Sequence, residues 1–402
     1  MSLYHASWLV PIAEPPIRDG WVAIEGDRIR DLGRGRPTST GTRDLGRVAI
    51  LPGLVNAHTH LELSYLRDQV PPSTDFVSWI RAVVGSRRGD RAPDAVRLGG
   101  AIQEGIDEAV RCGTAVVGDI SNTLAPFEPL ARSPLAGVVF YELIRFNAPD
   151  PAGFVDQARR QIAKLAATNQ VRTSLAAHAP YSVSPLVFRA IQRAVGDGTA
   201  APCSVHLSES AAEVEFIKTG GGQWRVFLEE VGAWDPVWRP AGGSPVEYLE
   251  ACGFLSPNVL AVHGVQMTAS DLECLAARGT TLVTCPRSNI RTGAGVPPIS
   301  DFYRSGVRVA IGTDSLASTP DLNVFAELAE LRALAPGVAA SRLLDSATRQ
   351  GARALGFDAD YGSIEPGKRA RLLAVTVPDA VDDVEEYLVS GIHPAQISWL
   401  SC

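Results

Sequence analysis

The sequence predicts an α/β protein, a (β/α)8 TIM barrel with a small β-sandwich domain formed by its N- and C-terminal segments. Three observations carry this expectation. Eight short apolar runs rich in β-branched residues recur between residues 51 and 313, helical patterns fill most of the gaps between them, and both chain ends instead alternate apolar and polar positions. A length of 402 residues suits one barrel of about 250 residues plus a smaller module.

Taken in order, residues 1–50 read as antiparallel strands separated by turn residues, as in WVAIEGDRIRDLG. The eight barrel runs are LPGLVNA, TAVVGDI, AGVVFYEL, VRTSLAA, PCSVHL, NVLAVHG, TTLVTC and VRVAIGT. Between the first two lies DAVRLGGAIQEGIDEAVRCG, whose apolar positions recur every three or four residues and which stops at Gly113, suited to a left-handed C-cap. Likewise TASDLECLAARG opens on a capping Thr or Ser and closes on Gly279. The stretch 362–380, with GSIEPGKRARLLAVTV, returns to strand-like alternation. Neither end can bury much core alone, so the two are expected to pair, giving 1–52 and 359–402 as the β-domain and 53–358 as the barrel. The segment from Gly220 to Ser244, with Trp224, Trp234 and Trp238, interrupts one βα connection. It is expected to be a lid or an interface loop, the second being compatible with a homodimer.

Composition narrows the function classes. Hydrophobic content of 46% with 20% charge is ordinary for a globular protein, and no apolar run reaches the roughly 20 residues that span a bilayer. The opening MSLYHASWLVPIAEPP lacks a basic region and a small-residue cleavage site, so a cytoplasmic location is expected. A net charge of −7 without a basic run gives no footprint for a polyanion, so nucleic acid is not expected as a partner; the expected partner is a small-molecule substrate, and no membrane. Six cysteines (Cys112, Cys203, Cys252, Cys274, Cys285, Cys402) are scattered without CxxC spacing, which predicts reduced thiols, several of them buried.

The chemistry-bearing residues close the strand-like runs. The first run leads into His58 and His60, the fourth into His178, the fifth ends near His206, the sixth at His263, and the eighth leads into Asp314. Only His5 and His393 of the seven histidines lie elsewhere. A single histidine is more often a satisfied half-buried residue than a ligand, but five at strand ends reverse that judgement. Strand periodicity puts His58 and His60 on one side, where both can reach an ion at about 2.0–2.1 Å. His206 and Asp314 would complete three or four protein ligands and leave a position for water, as a catalytic zinc-like site requires. Such ligands also suit iron or manganese, so the residue types leave the metal open.

The motifs PGLVNAHTH, HAPYSVS, HLSES, HG and GTDS, in that order, with the N-terminal strands and GSIEPGKRA, resemble the amidohydrolase superfamily, and within it the branch of nucleoside deaminases and chlorohydrolases. The resemblance implies one divalent metal, zinc or else iron, on His58, His60, His206 and Asp314. It also implies Glu209 as proton shuttle and His263 beside the reacting water. Many relatives bridge two metals through a carboxylated lysine at a strand end. Here Lys164, Lys218 and Lys368 end no predicted barrel strand, which favours the mononuclear form. By itself Glu209 could merely open the helix after the fifth strand, where its charge suits the helix dipole. Three residues beyond a ligand histidine, it is held where a carboxyl can pass a proton between water and a ring nitrogen. The implied reaction is hydrolytic deamination of an aminopurine-like ring, with Asp314 and His263 assisting the water and Asp314 delivering a proton to the departing ammonia. The cytidine-deaminase pattern is absent, since Cys203 after Pro202 lacks its second cysteine.

Within the branch, HTHLELS, FVSWIRAVV and SPVEYLEACGFL look most like aminodeoxyfutalosine deaminases of menaquinone biosynthesis, which act on an adenine nucleoside bearing a benzoate. Competing expectations are an S-adenosylhomocysteine/methylthioadenosine or guanine deaminase, a chlorotriazine hydrolase and a non-catalytic scaffold barrel. The scaffold predicts missing ligands, and none is missing. For substrate binding, His178 could contact a ribose or ring atom, Glu62 a purine edge, and Arg145 a carboxylate bidentately. Each has a plainer alternative: Glu62 could brace a ligand histidine, Arg145 could be a surface residue, and Trp79 could be core rather than a stacking platform. Arg371 stands where the family usually has aspartate, in the β-domain and away from the chemistry.

Overall fold

The computed structural model describes residues 1–37, 41–87, 92–166, 168–196 and 201–400. Cys402 lies outside the described residues. The N-terminal strands are β1 (Ser2–Leu9), β2 (Ile17–Glu25), β3 (Arg28–Arg34), β4 (Thr42–Asp44) and β5 (Val48–Pro52). The barrel follows with β6 (Leu54–Thr59), β7 (Thr114–Ser121), β8 (Ala136–Leu143), β9 (Val171–Ala177), β10 (Cys203–Leu207), β11 (Val259–His263), β12 (Thr281–Thr284) and β13 (Arg308–Ile311). Finally β14 (Leu372–Thr376) and β15 (Ile397–Trp399) return to the first sheet.

All eight apolar runs become barrel strands, in the order β6 to β13 and with every pairing parallel. Their near-continuous burial explains why the runs read as apolar throughout rather than alternating: helices cover the outer face and side chains fill the inner one. Intervening helices have the expected stops. Asp94 caps the helix Ala95–Arg111 by accepting from Arg97 N at 2.8 Å, and the chain leaves it through Gly113 at φ +85°. A capping box between Thr268 and Asp271 opens the helix Ala269–Arg278, and Gly279 at φ +67° ends it.

The barrel closes beside the histidine pair. Thr59 bridges Asp314 in parallel fashion, and the amides of Thr313 and Asp314 both donate to His58 O, at 3.1 and 3.0 Å. Across the same seam the Asn56 side-chain amide donates to Thr313 Oγ1 at 2.7 Å and accepts from Thr313 N at 3.1 Å. Only glycine tolerates this approach at residue 312, where an added Cβ would lie 2.7 Å from His58 Cβ and 2.8 Å from His58 O. Gly312→Ala is therefore expected to lower unfolding free energy by about 1–3 kcal/mol, read as a lower denaturant midpoint with an unchanged slope. An unshifted midpoint would mean that the seam yields without strain.

The two chain ends pair into one β-domain, a seven-stranded mixed sheet of order β15-β14-β5-β1-β2-β3 with β4 also on β1. Along one edge β1 pairs first with β4 and then with β5, while β5 pairs antiparallel with β14 and so ties the ends together. Its core holds Tyr4, Leu9, Val22, Ile24, Ile50 and Leu372. Trp399 Nε1 donates to Val110 O on the barrel at 2.9 Å, and Arg371 stacks on the Trp399 ring at 4.1 Å. Cys112, Cys203, Cys252 and Cys285 are buried free thiols and Cys274 is half-buried. Among the described residues no helix is long and apolar enough to cross a membrane.

Candidate metal centre and active-site cavity

A parallel barrel places every strand's C-terminal end on one side, and there the structure brings together four histidines from three strands. His58 and His60, two residues apart, face the same way. Their ring centroids lie 4.9 Å apart, and His58 is 5.0 Å from His206 and 5.5 Å from His263. Asp314 meets them from β13, with Oδ1 3.8 Å from His58 Nε2 and 3.5 Å from His60 Nε2. Its other oxygen accepts from Ser288 Oγ at 2.5 Å and Ser318 Oγ at 2.9 Å, which leaves Oδ1 for the cluster. As the chain leaves this corner, Leu61 N donates to Asp119 Oδ1 at 2.8 Å and so fixes its path.

This donor set suits a metal ion. Both ring nitrogens of His58 are buried without a hydrogen-bond partner, a cost that a ligated ion would remove at one of them. Burial, reinforced by repulsion from neighbouring groups, keeps the imidazoles neutral: His60 is lowered to about 3 and His206 to about 4, and His58 and His263 lie well below the usual value. Neutral imidazole is the ligating form. Three non-glycine residues in the left-handed region sit at these strand ends, Ser208 (φ +51°), His263 (φ +79°) and Asp314 (φ +59°). Strain of this kind persists only where surrounding bonds hold it.

Glu209 follows Ser208, and the turn is clamped from below. Glu213 accepts from Ser208 N and from Glu209 N, each at 2.9 Å, one with each carboxylate oxygen. Glu209 Oε1 thereby comes 3.4 Å from His263 Nε2. Burial, and then the negative charge of Asp314, raises the Glu209 carboxyl well above its usual range, so it can carry a proton.

His60, His206, Glu209, His263 and Asp314 form the floor of a cavity of about 620 Å³. Aromatic residues build its walls: Phe76 and Trp79 from the helix Phe76–Ser86, Phe146 after β8, Tyr181 after β9, and Trp224 and Phe227 from the helix Gly222–Glu230. Tyr181 and Trp224 stack at 3.7 Å. The Gly220–Ser244 insertion therefore contributes a wall, with Trp234 and Trp238 packed on Phe146 behind it.

A model of the amidohydrolase family matches residues 49–391, and so spans the closing seam, the histidine cluster and Asp314. The chain belongs to the amidohydrolase family. It is a hydrolytic enzyme acting on C–N bonds. This amidohydrolase is 29% identical to a 5-methylthioadenosine/S-adenosylhomocysteine deaminase of Moorella thermoacetica, over 97% of this chain and 90% of the relative. It is 32% identical to an aminodeoxyfutalosine deaminase of Deinococcus radiodurans, over 84% of this chain and 81% of that one. An adenosine deaminase of Xanthomonas campestris with bound zinc superposes with a TM-score of 0.81 at 26% identity, covering 98% of this chain and 90% of that one. Helicobacter pylori aminofutalosine deaminase shares the fold, with a TM-score of 0.82 at 24% identity over 97% of this chain and 95% of that one.

In this amidohydrolase the residues expected to touch substrate divide. His178 lines the cavity, its ring 5.2 Å from that of His206 and its Nδ1 2.5 Å from Ser182 Oγ. Arg145 lines the outer cavity, exposed, with its guanidinium 5.1 Å over the Phe154 ring. Glu62 does not reach the cavity. Its buried carboxylate accepts from Ser121 Oγ at 2.6 Å, Thr123 Oγ1 at 2.9 Å and Arg87 at 3.3 Å, because the chain turns into a 3-10 helix directly after His60 and carries the side chain behind the wall. Trp79 is buried and lines the cavity, so the choice between core and platform was a false one. Sequence reasoning missed a polar ladder on one wall, where Arg87 donates to Asn122 at 2.9 Å and Asn122 to Glu142 Oε2 at 2.7 Å. Glu142 Oε1 lies 3.7 Å from His206 Nδ1. Glu142 and Asn122 lie at or just beyond the ends of the third and second runs, so the strand-end rule that found the histidines would have found them. Arg87 carried no such signal.

Proposed function

We propose that this amidohydrolase is a hydrolytic deaminase of an adenine-type nucleoside carrying a remote carboxylate, with aminodeoxyfutalosine as substrate and ammonia as product. The observation that carries the reading is the protonatable Glu209 carboxyl held at the rim of a four-histidine, one-aspartate cluster on the floor of an aromatic-walled cavity. In our reading His58, His60, His206 and Asp314 hold one zinc ion, which when bound supplies the Lewis acidity that makes water a nucleophile near neutral pH. The protein's own groups do the rest. Glu209 carries a proton to the ring nitrogen beside the amine-bearing carbon, which makes that carbon electrophilic. Asp314, held in place by Ser288 and Ser318 at its other oxygen, takes a proton from the attacking water and returns it to the amine as ammonia leaves. His263 borders Glu209.

For the substrate, flat aromatic walls suit a base and a benzoate ring, and Arg145 gives the outer cavity a cation with room to meet a carboxylate. The test is ammonia release from aminodeoxyfutalosine, S-adenosylhomocysteine, methylthioadenosine, adenosine, guanine and a chlorotriazine. A strong preference for the first is expected. Preference for methylthioadenosine, guanine or the chlorotriazine would overturn the substrate while leaving the hydrolase intact. A charge-assisted bidentate contact contributes about 1.5–3 kcal/mol, so Arg145→Met is expected to lower kcat/KM roughly 10- to 100-fold on the carboxylated nucleoside and little on adenosine. Equal losses on both would remove Arg145 as the anchor.

A further inference from the structure

We infer that Asn289, which does not line the cavity, is a positioning residue that fixes the tautomer of His263, placing its proton on Nε2. Its side-chain amide nitrogen lies 3.0 Å from His263 Nδ1 in a fully buried setting. An amide nitrogen only donates, so Nδ1 must accept, and a neutral imidazole that accepts at Nδ1 carries its proton at Nε2. On the far side of the ring Nε2 faces Glu209 Oε1 at 3.4 Å, and a carboxyl oxygen can accept even when the group's other oxygen carries the proton. In the present orientation Oδ1 and one N–H lack a partner; reversing the amide would put its oxygen on Nδ1 and leave both N–H donors unpaired in the interior.

The local fold holds Asn289 for this task. It sits in the short helix Pro286–Thr292 after β12, directly following two residues that are themselves anchored or anchoring. Arg287 forks onto Asp321 at 2.8 and 3.0 Å, and its amide donates to Glu327 Oε2 at 3.2 Å. Ser288 donates to Asp314 at 2.5 Å. Adjacent residues of one turn thus hold groups from the two flanking strands, the Asp314 carboxylate beyond β13 and the His263 ring at the end of β11. The consequence is mechanistic and rests on the deaminase reading above. His263 offers an N–H rather than a lone pair to the reacting centre, so it steadies negative charge on Glu209 or on the attacking oxygen and takes no proton from water. That departs from the expectation that His263 assists the deprotonation.

Two measurements test this. In the zinc-loaded wild-type enzyme, the 15N spectrum of histidine rings, with His263 assigned by its loss in His263→Gln, should show Nε2 protonated and Nδ1 bare. A proton on Nδ1 overturns the inference, and because this reading needs no variant of Asn289 it stands even if Asn289→Ala fails to fold. In kinetics, Asn289→Ala should lower kcat about 10- to 100-fold, the usual effect of removing the outer partner of an active-site histidine, with KM and zinc content little changed. Glutamine at 263 keeps an N–H donor but has no tautomer to set, so adding Asn289→Ala to His263→Gln should cost nothing further. The same loss in both backgrounds would make Asn289 a packing residue. If no adenine nucleoside is turned over, the deaminase reading fails, and the ring spectrum still decides the role of Asn289.

Discussion

Glu209→Gln is expected to lower kcat by about 10² to 10⁴ while the enzyme keeps its metal and its fold. Glutamine has the shape of glutamate, and the clamp that positions residue 209 acts on backbone amides through Glu213, so the substitution should leave the turn in place. What it removes is the exchangeable proton. In the wild type, burial and the nearby Asp314 hold the Glu209 carboxyl well above its usual range, which keeps the acid form available for the ring nitrogen. An amide cannot give up that proton and regain it from water, so the loss should fall on kcat rather than on KM. Metal analysis beside the kinetics separates this from a damaged ligand set. Near wild-type turnover in Glu209→Gln would remove the residue from the mechanism.

His58→Ala is expected to lose both the metal and all measurable activity. His58 is fully buried at the centre of the cluster, with the His60, His206 and His263 rings within 5.5 Å of its own and no hydrogen-bond partner on either ring nitrogen. Its ligand atom is the member shared by two donor groups, His58–His206–His263 and His58–His60–Asp314, within each of which the ligand atoms lie within 4.8 Å of one another, so its loss opens both. Wild-type protein should approach one equivalent of zinc or iron, and a chelator should abolish activity until metal is restored. Two tightly held equivalents at full activity would refute the single-metal reading. Full activity in metal-free His58→Ala would refute the metal reading altogether.

Much of the site was legible because its parts are local and periodic. A histidine, a threonine and a histidine after an apolar run need only strand alternation to face one way, as His58 and His60 do. The strand ends could be gathered into one place without knowing any distance, since parallel barrel strands share a C-terminal side. Thus the runs ending at His206 and His263, and the one leading to Asp314, announced a common site. Cap residues at Thr268 and Gly279 were likewise readable, because capping joins atoms a few residues apart. Glu62 failed for the opposite reason: two positions after His60 it should share the histidines' face, but the strand has ended and helical geometry turns the carboxylate to Ser121 and Thr123.

By itself, the sequence determined the class of architecture, the identity of the strand-end ligand candidates and the pairing of the two chain ends, all of which follow from hydrophobic period, residue type and order. Only the tertiary structure decided which polar groups face the cavity and which face each other. Glu142 reaches within 3.7 Å of His206 across 64 residues of chain, and Asn289 meets His263 across 26, contacts that no local period encodes. Trp224 became a wall only when the inserted segment that carries its helix folded back onto Tyr181. A strand tells its residues in from out through backbone geometry alone, whereas a loop's side chains take their direction from whatever they pack against, and that partner is set by the closed barrel.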